Sequence, residues 1–131
     1  MRYLMLIWGN PTTWAHPMFL QAPEAEAMSA AERDAMTAQI EAVFAEIRES
    51  GELLDGHALA DPGATRTVRV RDGLPAVTDG PYVESKEQMA GLFVLDCATA
   101  ERAEEIAARL PDARFGAVEL RPVMGSSGEE M

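Results

Sequence analysis

The chain has 131 residues, 47% of them apolar, a single cysteine and a formal net charge of −11. That length suits one domain with one core, and that apolar content excludes disorder by composition. The acidic balance argues against nucleic acid, whose phosphates need clustered Lys and Arg, and against anionic membranes; it reads first as solubility. Cys97 alone cannot form an intrachain disulfide, which fits a reducing cytoplasm. The apolar run near the start is shorter than a signal h-region and no small-residue cleavage site follows closely, and no stretch approaches transmembrane length. A soluble, cytoplasmic protein is expected.

In chain order, "RYLMLIW" (2–8) predicts a strand apolar on both faces, stopped by Gly9-Asn10-Pro11. Residues 9–28 predict a long loop broken by Pro11, Pro17 and Pro23. A loop of this length is a lid, a binding loop or simply a mobile segment, here expected to be partly packed down through Trp14, His16, Met18 and Phe19. Ser29 and Glu32 form a capping box, Met36, Ile40, Val43, Phe44 and Ile47 share one helical face, and Gly51 stops the chain, predicting a helix over 29–50.

Residues 52–59 predict a strand, and Asp61-Pro62-Gly63 a turn. "TRTVRVR" (65–71), Asp72-Gly73 and "LPAVT" (74–78) predict a hairpin, with Pro75 marking a short or edge strand. "GLFVLDC" (91–97) is a second strand apolar on both faces. Thr99 caps a helix through Leu110 with Ala103, Ile106, Ala107 and Leu110 as its stripe, and "AVELRPV" (117–123) is the last strand. Residues 1–124 then make one domain, followed by a disordered acidic tail at 125–131.

The order β-α-β, hairpin, β-α-β is the ferredoxin-like α+β plan with an inserted hairpin and an antiparallel sheet. The two strands apolar on both faces open the two halves, and in that plan they lie at the centre of the sheet. Two helices cover one face, so a second copy is expected to cover the other, giving a homodimer.

"YLMLIWGNP", "TVRVRDG", "VTDGPYVESKEQMAGLFVLD" and "FGAVELRPV" together resemble the DGPF-domain branch of the YCII-related superfamily, over about residues 2–124. The resemblance implies a dimeric α/β barrel and leaves the activity open. It also implies an association of some members with sigma factors, hence a regulatory, non-enzymatic alternative. Two departures stand out. The motif's usual Phe is Tyr82 here. The histidine that the wider superfamily carries near its first helix, beside an aspartate, has no counterpart in 29–50, where the chain places none; its histidines are His16 and His57.

Candidate chemistry lies in two places. Asp79-Gly80-Pro81-Tyr82 fits a tight turn that Asp79 would cap, and Glu84, Lys86 and Glu87 follow with acid, cation and acid; such groups bind anions or move protons in a pocket. The alternative is a structural turn and a solvated segment. Asp55 and His57 share a face of their strand, as a general base with its orienting carboxylate, half a metal site, or a polar pair at a sheet end. Catalytic candidates are therefore His57, Asp55, Lys86 and Glu87, and ligand-binding candidates Asp79, Tyr82, Glu84, Trp8 and Arg69. Arg66, Arg69, Arg71 and Arg121 would either line a carboxylate site or pair with Glu119 and neighbouring acids. Two histidines and one cysteine lack zinc spacing, no nucleotide or nucleophile-elbow motif is present, and no metal or cofactor is expected. Cys97 reads as a buried, inert thiol. The function expected is binding of a small anionic or phenolic molecule in a cleft beside the sheet, with cofactor-free isomerase or lyase chemistry as one option and partner binding as the other.

Overall fold

In a computed structural model, the structure describes residues 1–125 and 128. The expected tail at 126–127 and 129–131 lies outside the described residues.

Strand β1 (Arg2–Gly9) alternates buried and half-buried side chains. Tyr3, Met5 and Ile7 enter the core, while Leu4, Leu6 and Trp8 face the other way. The predicted loop at 9–28 is not irregular throughout: it folds into a 3-10 turn, Met18–Gln21, and a short helix, α1 (Pro23–Glu26). Phe19, Ala22 and Ala25 pack on Met36 in a small second core, so this segment is pinned by burial.

Helix α2 (Ala30–Ser50) begins where Ser29 accepts the Glu32 amide and ends where Gly51 takes φ 82°. A cap of this kind contributes about 1 kcal/mol. Its stripe buries Met36, Val43 and Ile47. Strand β2 (Leu53–Ala58) follows, then the hairpin β3 (Arg66–Arg71) and β4 (Leu74–Asp79), turned by Asp72 and Gly73, both at positive φ (51° and 74°). Strand β5 (Gln88–Asp96) starts three residues earlier than expected, because Met89 and Gln88 continue the ladder to Trp8 and Gly9 past a bulge that leaves Ala90 without a β1 partner. Helix α3 (Ala100–Ala108) is capped by Thr99, a short α4 (Asp112–Phe115) absent from the sequence reading follows Pro111, and β6 (Ala117–Pro122) completes the domain.

The main sheet runs β2-β5-β1-β6 with every pair antiparallel, and β3-β4 forms a separate two-stranded sheet. This is a ferredoxin-like α+β fold with β1 and β5 central. Helices lie on one face, where Val43, Ile47, Ile106 and Leu110 meet Met5 and Leu95. Burying each such side chain contributes roughly 1.5–3 kcal/mol. Gly56 is a strand residue without a side chain because the Phe93 ring lies over it; a Cβ there would stand 2.3 Å from Phe93 Cδ1. The α2, α3 and β2 elements are also joined by charge. Arg102 reaches Glu46 and Glu52 at 2.9 Å, and Arg109 reaches Glu46 at 2.6 Å. Arg109 and Arg102 together hold the Glu46 carboxyl down to about 2.

Candidate functional site

The sheet face opposite the helices is an apolar strip between polar margins. Cross-strand register places Leu4, Leu6 and Trp8 of β1 beside Leu92 and Val94 of β5. On the β2 side, Asp55 pairs with Val94 and His57 with Leu92, so both point onto this face. On the β6 side, Glu119 pairs with Leu6 and Arg121 with Leu4. The five apolar side chains remain only half-buried at the middle of the sheet, which is the uncovered face that the patterning of 2–8 and 91–97 implies.

Asp55 and His57 do come together. His57 Nε2 lies 3.1 Å from Asp55 Oδ2, with both side chains exposed. A carboxylate can only accept, so Nε2 carries the hydrogen and Nδ1 is left as the basic position. The Gly56 amide, and then His57, hold the Asp55 carboxyl below the usual range. A group of this kind can orient an imidazole for proton transfer. Lys86 and Glu84 are exposed, and Glu87 lines a cavity that Asp55, His57 and Lys86 do not line. The four catalytic candidates therefore do not form one constellation.

That cavity, about 580 Å³, opens where the sheet ends. Trp8 and Met89 line it. Leu59–Pro62, Ala64 and Thr65 line it from one stretch of the chain, and Pro81, Val83, Ser85, Glu87 and Gln88 from another. The walls are mainly apolar, and their charged groups are the carboxylates of Asp61 and Glu87, with no Lys, Arg or His. The Trp8 Nε1–H is shielded and has no acceptor, alone among buried side-chain polar atoms of the described residues.

The segment after β4 decides the shape of this region. Gly80 sits at φ 95°, a left-handed conformation that side-chain-bearing residues resist, and its amide donates to Thr65 O at 2.7 Å. Thr67 Oγ1 donates to Gly80 O at 2.8 Å. Asp79 pairs with Arg66 at 3.2 Å instead of capping the turn as the sequence suggested. Asp79-Gly80 thus closes the base of the hairpin. Pro81 and Val83 then form a ridge between the cavity and a second, shallower concavity of about 520 Å³ that holds Arg69 and Tyr82. These two engage each other, with Arg69 Nη2 donating to Tyr82 Oη at 3.2 Å and its guanidinium 5.0 Å from the ring centroid. The arginines do not converge: Arg66 is paired, Arg69 stacks on Tyr82, Arg71 bonds the Val70 carbonyl, and Arg121 stands on the far edge of the main sheet.

Cys97 is buried, and burial pushes its thiol up, as an inert cysteine requires. Among the described residues no group of three or more metal-ligating side chains converges, and no helix is long and apolar enough to cross a membrane. Sequence reasoning missed Asp61 as a cavity carboxylate and Asp112 as a buried acid. Asp61 was readable only as a turn residue, and nothing in "LPDARFG" signals that its aspartate turns inward.

Two comparisons place this geometry among known proteins. A family model described as the YCII-related domain matches residues 1–127. An uncharacterized protein of Rhizobium meliloti (strain 1021) is 33% identical over 99 residues, covering 74% of this chain and 80% of the relative. With the ferredoxin-like sheet, the ordered motifs along the strands and a match through nearly the whole length, the chain belongs to the YCII-related domain family.

Proposed function

We propose that the protein binds a small, uncharged or cationic organic molecule, such as a phenol, in the cavity lined by Trp8 and Met89, and that it works as a homodimer closed over the apolar sheet face. One observation carries the binding reading: a cavity of ligand size with apolar walls and a few polar groups at its rim. Asp61 and Glu87 disfavour the anionic ligand expected from sequence, whereas a phenolic hydroxyl can donate to either carboxylate while its ring lies on Trp8. A thermal-shift screen comparing phenols, their ammonium analogues and matched carboxylates tests this. Stabilisation by phenols that Glu87→Gln and Trp8→Leu both weaken supports it; preferential stabilisation by carboxylates overturns it.

The dimer reading rests on the half-exposed Leu4, Leu6, Leu92 and Val94 at the centre of the sheet. Light scattering should give twice the chain mass, and Leu6→Asp should give a folded monomer. A monodisperse monomer of the parent chain at micromolar concentration removes this part.

A second reading, proton transfer by Asp55–His57, is favoured by their 3.1 Å contact on the same apolar face. It predicts that the protein speeds exchange of α-protons of small ketones in D2O, and that His57→Gln and Asp55→Asn slow it. No exchange above buffer, or equal exchange by the variants, removes it.

A further inference from the structure

A second, smaller cavity of about 80 Å³ lies on the opposite, helix-bearing side of the sheet, between the 9–28 segment, α2 and β5. Its walls are apolar, built from Ile7, Phe19, Ile40, Phe44 and Phe93 among others, and only two titratable side chains line it, His16 and Asp112. Asp112 is the single buried charged-type residue among the described residues, 7% exposed. Among the described residues no other residue donates to its carboxyl, which accepts from its own backbone amide. Burial pushes it up to about 6. A carboxyl withdrawn from water with no cation beside it is costly unless something supplies one.

His16 is set up to help. Its Nε2 lies 2.8 Å from Leu59 O, and Trp14 Nε1 donates to the same carbonyl at 3.0 Å. A carbonyl only accepts, so Nε2 bears the hydrogen and the neutral ring keeps Nδ1 as an acceptor. His16 is exposed, which puts it where the cavity meets solvent. Both residues can accept, and with the apolar walls they select a ligand with N–H donors and a short hydrocarbon body. The volume suits about four to six heavy atoms.

We propose that this cavity is a binding site for a small organic cation, a primary ammonium or amidinium on a short apolar body, held between the Asp112 carboxylate and the His16 imidazole. This cavity shares no lining residue with the Trp8 cavity.

The test uses isobutylamine, its neutral isostere isobutanol and the anion isobutyrate as probes, with NMR titration of the full chain at pH 8 and pH 5. Isobutylamine should bind at pH 8 about tenfold more tightly than isobutanol, as a charge-assisted hydrogen bond would give, and isobutyrate should not bind. The preference should vanish at pH 5, where Asp112 gains its proton. Asp112→Asn should abolish the amine preference while isobutanol still binds, which shows that the chamber is intact; His16→Gln should weaken it. Equal affinities for amine and alcohol at pH 8, or a preference that survives Asp112→Asn, overturn the proposal.

Discussion

Gly116→Ala probes the point where the fold builds the Trp8 cavity. Gly116 links α4 to β6 and lies against the backbone of β1: a Cβ added there would stand 2.2 Å from Trp8 O and 3.2 Å from Gly9 Cα. The obstructing atom is backbone, so no rotamer change relieves it. Strands β1 and β6 must separate by about 1 Å beside the Trp8↔Ala117 pair, an overpacking cost of about 2–3 kcal/mol. For a domain of this size that lowers Tm by roughly 6–12 °C. Gly56→Ala is the matched control. Its Cβ would meet the Phe93 ring, a side chain that can turn away at the expense of its contact with Phe44 (centroids 4.8 Å apart), so about 1–2 kcal/mol is expected. The assay is thermal and urea unfolding of both variants, followed by the phenol thermal-shift screen. Gly116→Ala should lose more stability and also lose ligand stabilisation, because Trp8 moves with its backbone; Gly56→Ala should keep the ligand response. A Gly116→Ala protein whose Tm lies within about 1 °C of the parent would show that β1 and β6 are not packed as closely as stated.

Asp112 makes a pH prediction of definite sign. Its pKa is raised on folding, from an unfolded value near 3.8 to about 6, so the native state binds the extra proton and stability falls as pH rises through that window. The penalty, about 3 kcal/mol, is complete above pH 6 and absent below pH 4, so Asp112→Asn should be more stable than the parent at pH 8 and indistinguishable from it near pH 4; no gain at pH 8 refutes this. Glu46 and Glu52 behave oppositely: Arg109 and Arg102 depress the first and Arg102 the second, so their stabilisation is present above the ordinary carboxylate pKa and is lost as acid titrates the folded forms. Arg102→Ala, which removes the link from α3 to both, should lower Tm by roughly 3–6 °C at pH 7, and the difference should shrink only in part in 1 M salt because the Glu52 side chain is only 16% exposed; an unchanged Tm refutes the network's role.

The fold was legible in the residues because its signals are local. Ser29 with Glu32, Gly51, Thr99 and Asp72-Gly73 each set a terminus or turn through the chemistry of one short segment. The double-sided apolar character of 2–8 and 91–97 marked the two central strands before any pairing was known. The branch motifs pointed to the family for the same reason. Where the sequence reading stopped short, the cause was contact between distant segments. The lid-like stretch at 9–28 acquires helical turns because Phe19, Ala22 and Ala25 find Met36. Asp55 and His57 were placed on one face by strand alternation, but only the β2-β5 register put that face on the apolar side. Lys86 and Glu87 stand apart from Asp55 and His57 along the chain, and Glu87 lines a cavity that neither of those two lines. Asp79-Gly80-Pro81-Tyr82, compact and polar enough to suggest catalysis, closes a hairpin and raises the ridge between two concavities. The inward turn of Asp112 has no sequence signature at all, since burial depends on what packs around a residue and not on the residue's own type. The sequence by itself determined element type and order, through periodicity and capping. Which polar groups meet, which cavities open and which carboxylate leaves water were decided only by the tertiary structure, because charge and burial act across space with no regard to separation along the chain.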